Sequence, residues 1–284
     1  MEGSIGNVSL NSSKRPDCQC ESGHREFLSL VDVVTFLVGQ PVVARLLWVS
    51  LTSNRTPDVL NCNLAVFHNV QYWISAVHLF ILFMLPREQQ NLFRFLLVFA
   101  QTGGPMNLCY ICMQRYVAVI HPTSYPLLKK YRYAEVCAAT VWLLSVPLAF
   151  ANTLAPVFIS PLIDQVVDNL PFFLMVCMCL MMVRSSVKMA RALLKPGPEG
   201  NRLSPAKRRA CRAIRATSAV TMMFYVPVNV LQKVTAQDPC TLGCVVTPGC
   251  VLLLSAASIV HPLFYLSTHG KLFACRERER KASR

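Results

Sequence analysis

Seven long apolar runs separated by short polar stretches dominate this chain. They fall near Leu28–Leu51, Val59–Leu85, Asn91–Ile120, Ala134–Leu154, Val157–Val183, Ile214–Val234 and Cys244–Leu266. About 20 consecutive apolar residues make a helix long enough to cross a bilayer core. The pattern therefore predicts an all-α membrane protein, a bundle of seven transmembrane helices. No run alternates with a period of two, and nothing repeats at a fixed period, which leaves no place for a barrel or a solenoid. The fifth run is interrupted by Asp164, Asp168 and Asn169, with Pro161 as a candidate helix break. Its outer end is either helical, with both acids lining the bundle, or part of a solvated loop. The first run follows a polar head, carries Arg45 and exceeds signal-peptide length, so it reads as a retained helix. The chain divides into a head (1–27), the bundle (28–268) and a basic tail (269–284).

Composition supports this division. Hydrophobic residues make up 54% and charged residues 15% of 284 residues, against about 25% charged in an average soluble domain. The net charge of +14 would point to nucleic acid in a soluble chain. Here the basic residues sit between the apolar runs. With the N-terminus outside, 20 Lys and Arg face the cytoplasm and 5 the exterior. That asymmetry predicts an N-out, C-in orientation and removes the need for a nucleic-acid partner. The sequons at Asn7 and Asn11 then lie outside, as glycosylation requires.

Several motifs recur in a meaningful order. The third run ends Met113-Gln114-Arg115-Tyr116 and continues to His121-Pro122. The seventh ends His261-Pro262-Leu263-Phe264-Tyr265. Trp142 sits midway along the fourth run. Pro171 and Pro227 interrupt the fifth and sixth, and Leu60-Asn61-Cys62-Asn63-Leu64-Ala65 opens the second. Together, over roughly Leu28 to Cys275, they resemble the rhodopsin-like (class A) G-protein-coupled receptors, as a divergent orphan-type member. The resemblance implies a signalling switch of Gln114, Arg115 and Tyr116 on helix three. Tyr225 and Pro227 would join it on helix six, and His261, Pro262 and Tyr265 on helix seven. The departures are equally specific. Gln114 replaces an acid, so the resemblance implies a weaker hold on Arg115 and raised basal activity. Tyr225 stands for the toggle Trp and Val43 for the helix-one Asn. His68 and His261 stand where the family holds Asp and Asn. A hard cation wants oxygen ligands, so sodium sensitivity should be lost. This mid-bundle pair, His68 and His261, is then a hydrogen-bonded core pair, a titrating pair or a soft-metal site. The family's usual disulfide is also missing, because no Cys lies near Gln90 or between Cys137 and Cys177.

The candidate ligand pocket is Arg94, Gln101, Asp164 and Asp168. Arg94 lies 21 residues outward of Arg115, about 32 Å along a helix, and Gln101 shares its face. Arg94 either anchors an anionic ligand group or pairs with one of the acids, and the reading leans slightly to the anchor. The exterior is oxidising, so Cys18 or Cys20 is expected to bridge to Cys240 or Cys244. Cys275, just past the last span, is a palmitoylation candidate. Cys18-x-Cys20 with Cys240-x3-Cys244 offers a metal site as the minor alternative to that bridge. No Gly-rich phosphate loop, HExxH or nucleophile elbow is present, so neither an enzyme nor a cofactor is expected.

These features point to a multi-pass plasma-membrane receptor. Its partners would be an unidentified extracellular ligand, anionic if Arg94 is free, a heterotrimeric G protein and the bilayer. The rivals are a non-signalling scaffold or decoy, and a solute transporter, which the lack of an internal repeat disfavours.

Overall fold

The computed structural model describes residues 23–51, 59–84, 89–158, 161–194 and 205–268. Asn7, Asn11, Cys18, Cys20 and Cys275 lie outside the described residues. All regular structure among those described is helical. The elements are α1 (Gly23–Leu51), α2 (Val59–Met84), α3 (Gln89–Ile120), the short α4 (Tyr125–Lys130), α5 (Tyr133–Phe158) and α6 (Pro161–Leu194). The sixth span is α7 (Pro205–Val220), a π-helical turn (Thr221–Tyr225) and α8 (Val226–Val234). The seventh is a three-residue α9 (Pro239–Thr241), a second π turn (Leu242–Val246) and α10 (Thr247–Thr268). Seven stretches of these helices are long and apolar enough to cross a membrane. The protein is a seven-helix bundle.

The runs fold as helices, but the fifth and sixth depart from their expected limits, the sixth starting at Pro205 rather than Ile214. The fifth helix starts at Pro161 and extends to Leu194, where the hydropathy pattern placed it at Val157–Val183. Pro161 does not break the helix but begins it. A proline at the first helical position gives up no bond, since that N–H has no intrahelical partner anyway. Asp164 and Asp168 are therefore helical. At the inner end, Arg184–Leu194 carries on as helix after the apolar run has stopped, because Ser, Lys, Ala, Arg and Leu cost little in a helix.

The ring of spans runs α1, α2, α5, α6, α7/α8, α10 and back to α1, with α3 threaded through the middle against α2, α5, α6 and α7. In lipid, helices gain little from hiding apolar surface, so close packing and hydrogen bonds hold them together. Helix α3 shows how. Gly103 lies under the Phe67 ring and Gly104 under the Tyr225 ring, each so close that a Cβ would overlap the aromatic atoms. Phe67 is stacked on Phe99 at 4.2 Å and tilts against Trp142 at 5.6 Å. Meanwhile Leu37, Trp48, Leu143, Phe173, Leu180 and Met223 point outward, as a lipid-facing surface requires.

The sixth span carries two adjacent features of the kind that bend helices. Pro227 has no N–H to give back to the preceding turn, and the π turn Thr221–Tyr225 immediately before it widens the ladder. π turns of this kind concentrate at functional sites.

Candidate functional site

Towards the C-terminal end of α3, Gln114, Arg115 and Tyr116 are half-buried. Ser185 on α6 donates to the Met113 sulfur at 3.2 Å. Ser186 and Ser218 hydrogen-bond at 3.0 Å between α6 and α7. Tyr116 meets His121 edge-on with ring centroids 6.0 Å apart. Gln114 Oε1 is buried with no hydrogen-bond partner among the described residues. The predicted inner motif thus sits where three spans converge.

The middle of the bundle holds a network whose members sequence reading did not connect. Trp142 Nε1 donates to Asn63 Oδ1 at 2.9 Å. Asn63 Nδ2 donates to Asn107 Oδ1 at 2.7 Å, and Asn107 Nδ2 to the Gly103 carbonyl at 2.9 Å. This chain of bonds joins α5, α2 and α3. On the other side, Tyr72 donates to Ser258 Oγ at 3.0 Å, joining α2 to α10. His68 and His261 are both buried, at 1% and 4% exposure. His68 Nδ1 donates to Gln71 Oε1 at 3.4 Å, while His261 Nδ1 has no hydrogen-bond partner among the described residues. No group of three or more His, Cys, Asp or Glu among the described residues is placed to hold a metal.

Three constellations occupy the half of the bundle away from Arg115. In the first, Arg94 Nη2 donates to Asp168 Oδ1 at 3.0 Å, and Lys233 Nζ donates to the Asp168 backbone carbonyl at 3.0 Å. Helix α6 is thereby tied to α3 and α8. In the second, Gln101 Nε2 donates to Asn229 Oδ1 at 2.6 Å, and Asn229 Nδ2 to the Tyr225 carbonyl at 2.9 Å. Both side chains are buried, and the amide pair holds the π turn against α3. Asp164 is on the outermost part of α6; its side chain lies outside the described residues.

The third constellation was not anticipated. Asp32 on α1 is 4% exposed and spends both carboxylate oxygens on α2. Ser75 Oγ donates to Oδ1 at 3.1 Å and His78 Nδ1 to Oδ2 at 3.0 Å. An acid inside a span is expensive and by default paired. That rule makes Asp32 detectable in the sequence, one turn inside the first run. His78, 46 positions away, has no local signature.

Beside this pair, a small cleft opens between α2, α3 and α10. Its polar lining is Gln71, Ser75 and Ser255. Leu96, Leu97, Ala100, Val251 and Leu254 provide the apolar walls. Neither Arg94, Gln101 nor Asp168 lines it. The structure joins Arg94 to Asp168 and Gln101 to Asn229, and sets the cleft on the other side of α3's outer half.

Between α8 and α10, Cys240 and Cys244 are both disulfide-bonded. The loop is shaped by Asp238, which accepts from the Thr241 hydroxyl and from the Cys240 and Thr241 N–H groups.

Comparison with known proteins adds one partial match. A probable G-protein coupled receptor (No9) of Amphibalanus amphitrite is 45% identical over 49 residues, 17% of this chain and 10% of that protein. The matched part is thus about a tenth of that relative's length. No family model matches the chain. Seven membrane-length helices and this match together fit a multi-pass membrane protein of the G-protein-coupled receptor kind.

Proposed function

We propose that this protein is a rhodopsin-like G-protein-coupled receptor of the plasma membrane, N-terminus outside, carrying a ligand signal from its outer half to a heterotrimeric G protein. The observation that supports it best is the course of α3. This one helix walls the outer cleft with Leu96, Leu97 and Ala100. It then runs through the centre of the bundle and ends in Gln114-Arg115-Tyr116 beside α6 and α7. A ligand that prefers one arrangement of the outer half shifts the population of the whole bundle by its difference in affinity. The π turn and Pro227 give the sixth span a place to bend, and Gln101–Asn229 couples that place to α3. Bending moves α7 away from Arg115, and the basic inner segments then take up the transducer.

The test is a G-protein activation assay in transfected cells with Arg115→Ala. Basal coupling should fall at least several-fold at equal surface level. Unchanged coupling removes Arg115 from the switch. Absence of any coupling in the wild type, across the G-protein subtypes, leaves a scaffold.

A further inference from the structure

We propose that α3 is hinged at Gly103-Gly104-Pro105, so that its N-terminal half moves with the sixth span while its C-terminal half stays held by α2 and α5. This goes beyond the receptor reading above and does not depend on it. The reason lies first in the backbone. Pro105 is inside α3. It has no N–H to give the Gln101 carbonyl four residues back, and its ring crowds that carbonyl. Two glycines precede it, and after proline no residue supports a helix less than glycine. No other glycine or proline occurs in α3. Side chains loosen the same stretch. The Thr102 hydroxyl donates back to the Val98 carbonyl at 2.8 Å, a bond that tends to bend helices. The Asn107 side chain donates to the Gly103 carbonyl at 2.9 Å, which a regular helix keeps for the Asn107 N–H. Proline, paired small residues and side chains inserted into the ladder are the causes of helix kinks, and here they all fall between Thr102 and Asn107.

Amide side chains clamp α3 on either side of this stretch, and to different partners. Before it, Gln101 donates to Asn229 at 2.6 Å and Asn229 to the Tyr225 carbonyl, which ties this half to the sixth span. After it, Asn107 accepts from Asn63 at 2.7 Å, and Asn63 accepts from Trp142 at 2.9 Å, which ties this half to α2 and α5. Gln101, Asn107 and Asn229 are at most 6% exposed, and a buried amide that loses its partner suffers its full desolvation. Each half of α3 therefore follows its own clamp when the two sets of neighbours shift apart, and the bend falls on the residues that resist it least. Gly103 and Gly104 also admit the Phe67 and Tyr225 rings. That packing accounts for the glycines and leaves the proline without a role. The C-terminal half carries Gln114, Arg115 and Tyr116, so the hinge lets the sixth span move against Arg115 without dragging that end of α3 along.

Hydrogen exchange of the full chain in lipid nanodiscs, corrected for intrinsic rates, tests this. Residues 106–109 lie mid-helix, where an unbroken helix exchanges most slowly. Their amides should exchange roughly tenfold faster, or more, than those of residues 96–100 and 110–113, as a local opening requires. Pro105→Ala supplies the missing N–H and should slow them by a similar factor. Asn229→Ala should speed exchange several-fold before Gly103 alone, and Asn63→Ala after Pro105 alone. The proposal is overturned by uniform protection along α3, by a Pro105→Ala profile like that of the wild type, or by a clamp substitution that loosens both halves. The wild-type and Pro105→Ala profiles decide even where a clamp variant does not fold. No transducer enters the measurement. A hinge without coupling therefore sinks the receptor reading alone, and coupling without a hinge sinks this inference alone.

Discussion

Gly103 and Gly104 are adjacent on α3, yet they admit two aromatic rings from different helices. Their value is in the missing Cβ rather than in backbone freedom. Phe67 is fully buried and hemmed in by Phe99 and Trp142, so it has no room to withdraw. Gly103→Ala should therefore cost about 1–3 kcal/mol as an overpacking substitution, visible as a lowered melting temperature of the purified protein. At Gly104 the nearest atom is the Tyr225 hydroxyl. Tyr225→Phe placed in the Gly104→Ala background should recover part of the loss and should recover none in Gly103→Ala. A second single-residue effect lies on the outer loop. The Thr241 hydroxyl, helped by the Thr241 and Cys240 N–H groups, holds the Asp238 carboxyl below the usual carboxylate range. A depressed carboxyl stabilises the folded loop above its unfolded pKa, and that contribution is lost as pH falls through the folded value. Hydrogen exchange at Cys240 and Thr241, corrected for intrinsic rates, should lose protection only under distinctly acidic conditions. In Asp238→Asn, protection should be lower throughout and insensitive to pH.

Between elements, the polar bonds decide how the spans are rotated. Arg94–Asp168 joins α3 to α6, but its side chains are 41% and 53% exposed. Exposed pairs are worth under about 1 kcal/mol and are screened by salt. A double-mutant cycle with Arg94→Ala and Asp168→Ala should thus show a small coupling in thermal stability that shrinks as salt rises. A coupling of several kcal/mol, unmoved by salt, would mean the pair is shut off from water. These cross-helix bonds also mark how far the sequence could be read. Length and hydropathy disclosed seven spans, because the bilayer imposes one dimension on each. They missed the true limits of the fifth, where Pro161 starts the helix and a polar inner extension prolongs it. The partners of the polar residues stayed hidden. Asn63 meets Trp142 from 79 positions away and Gln101 meets Asn229 from 128. Which faces meet depends on the rotation of each helix, and periodicity cannot give that when lipid and core are both apolar. Arg94 and Asp168 were legible as a possible pair, since both sat at the same depth. The Asp32–Ser75–His78 cluster was not, because Asp32 meets Ser75 and His78 from 43 and 46 positions away.

For the molecule as a whole, the outer cysteines are the next constraint. Cys240 and Cys244 are both in disulfides, and Cys18 and Cys20 are cysteines of the N-terminal segment. Mass spectrometry of non-reduced peptides should link residues 18 or 20 to 240 or 244. Finding Cys18 and Cys20 open to alkylation in the folded protein would dispose of that tether. A last consequence comes from the burial of α3. Its membrane window is 83% buried inside the protein, against 22% for the fifth span. That is why it can carry Gln101, Thr102, Asn107 and Gln114, two glycines and a proline. It also means that α3 suits its neighbours better than it suits lipid. During synthesis the helix emerges before α5 and α6 exist, so its polar face meets the bilayer or the insertion machinery unprotected. Insertion of charged and polar positions costs up to about 3 kcal/mol each at mid-membrane. The third span should accordingly wait at the translocon until the fourth and fifth arrive. Substitutions that loosen α5 against α3 should then lower the yield of correctly inserted protein before they touch anything the finished molecule does.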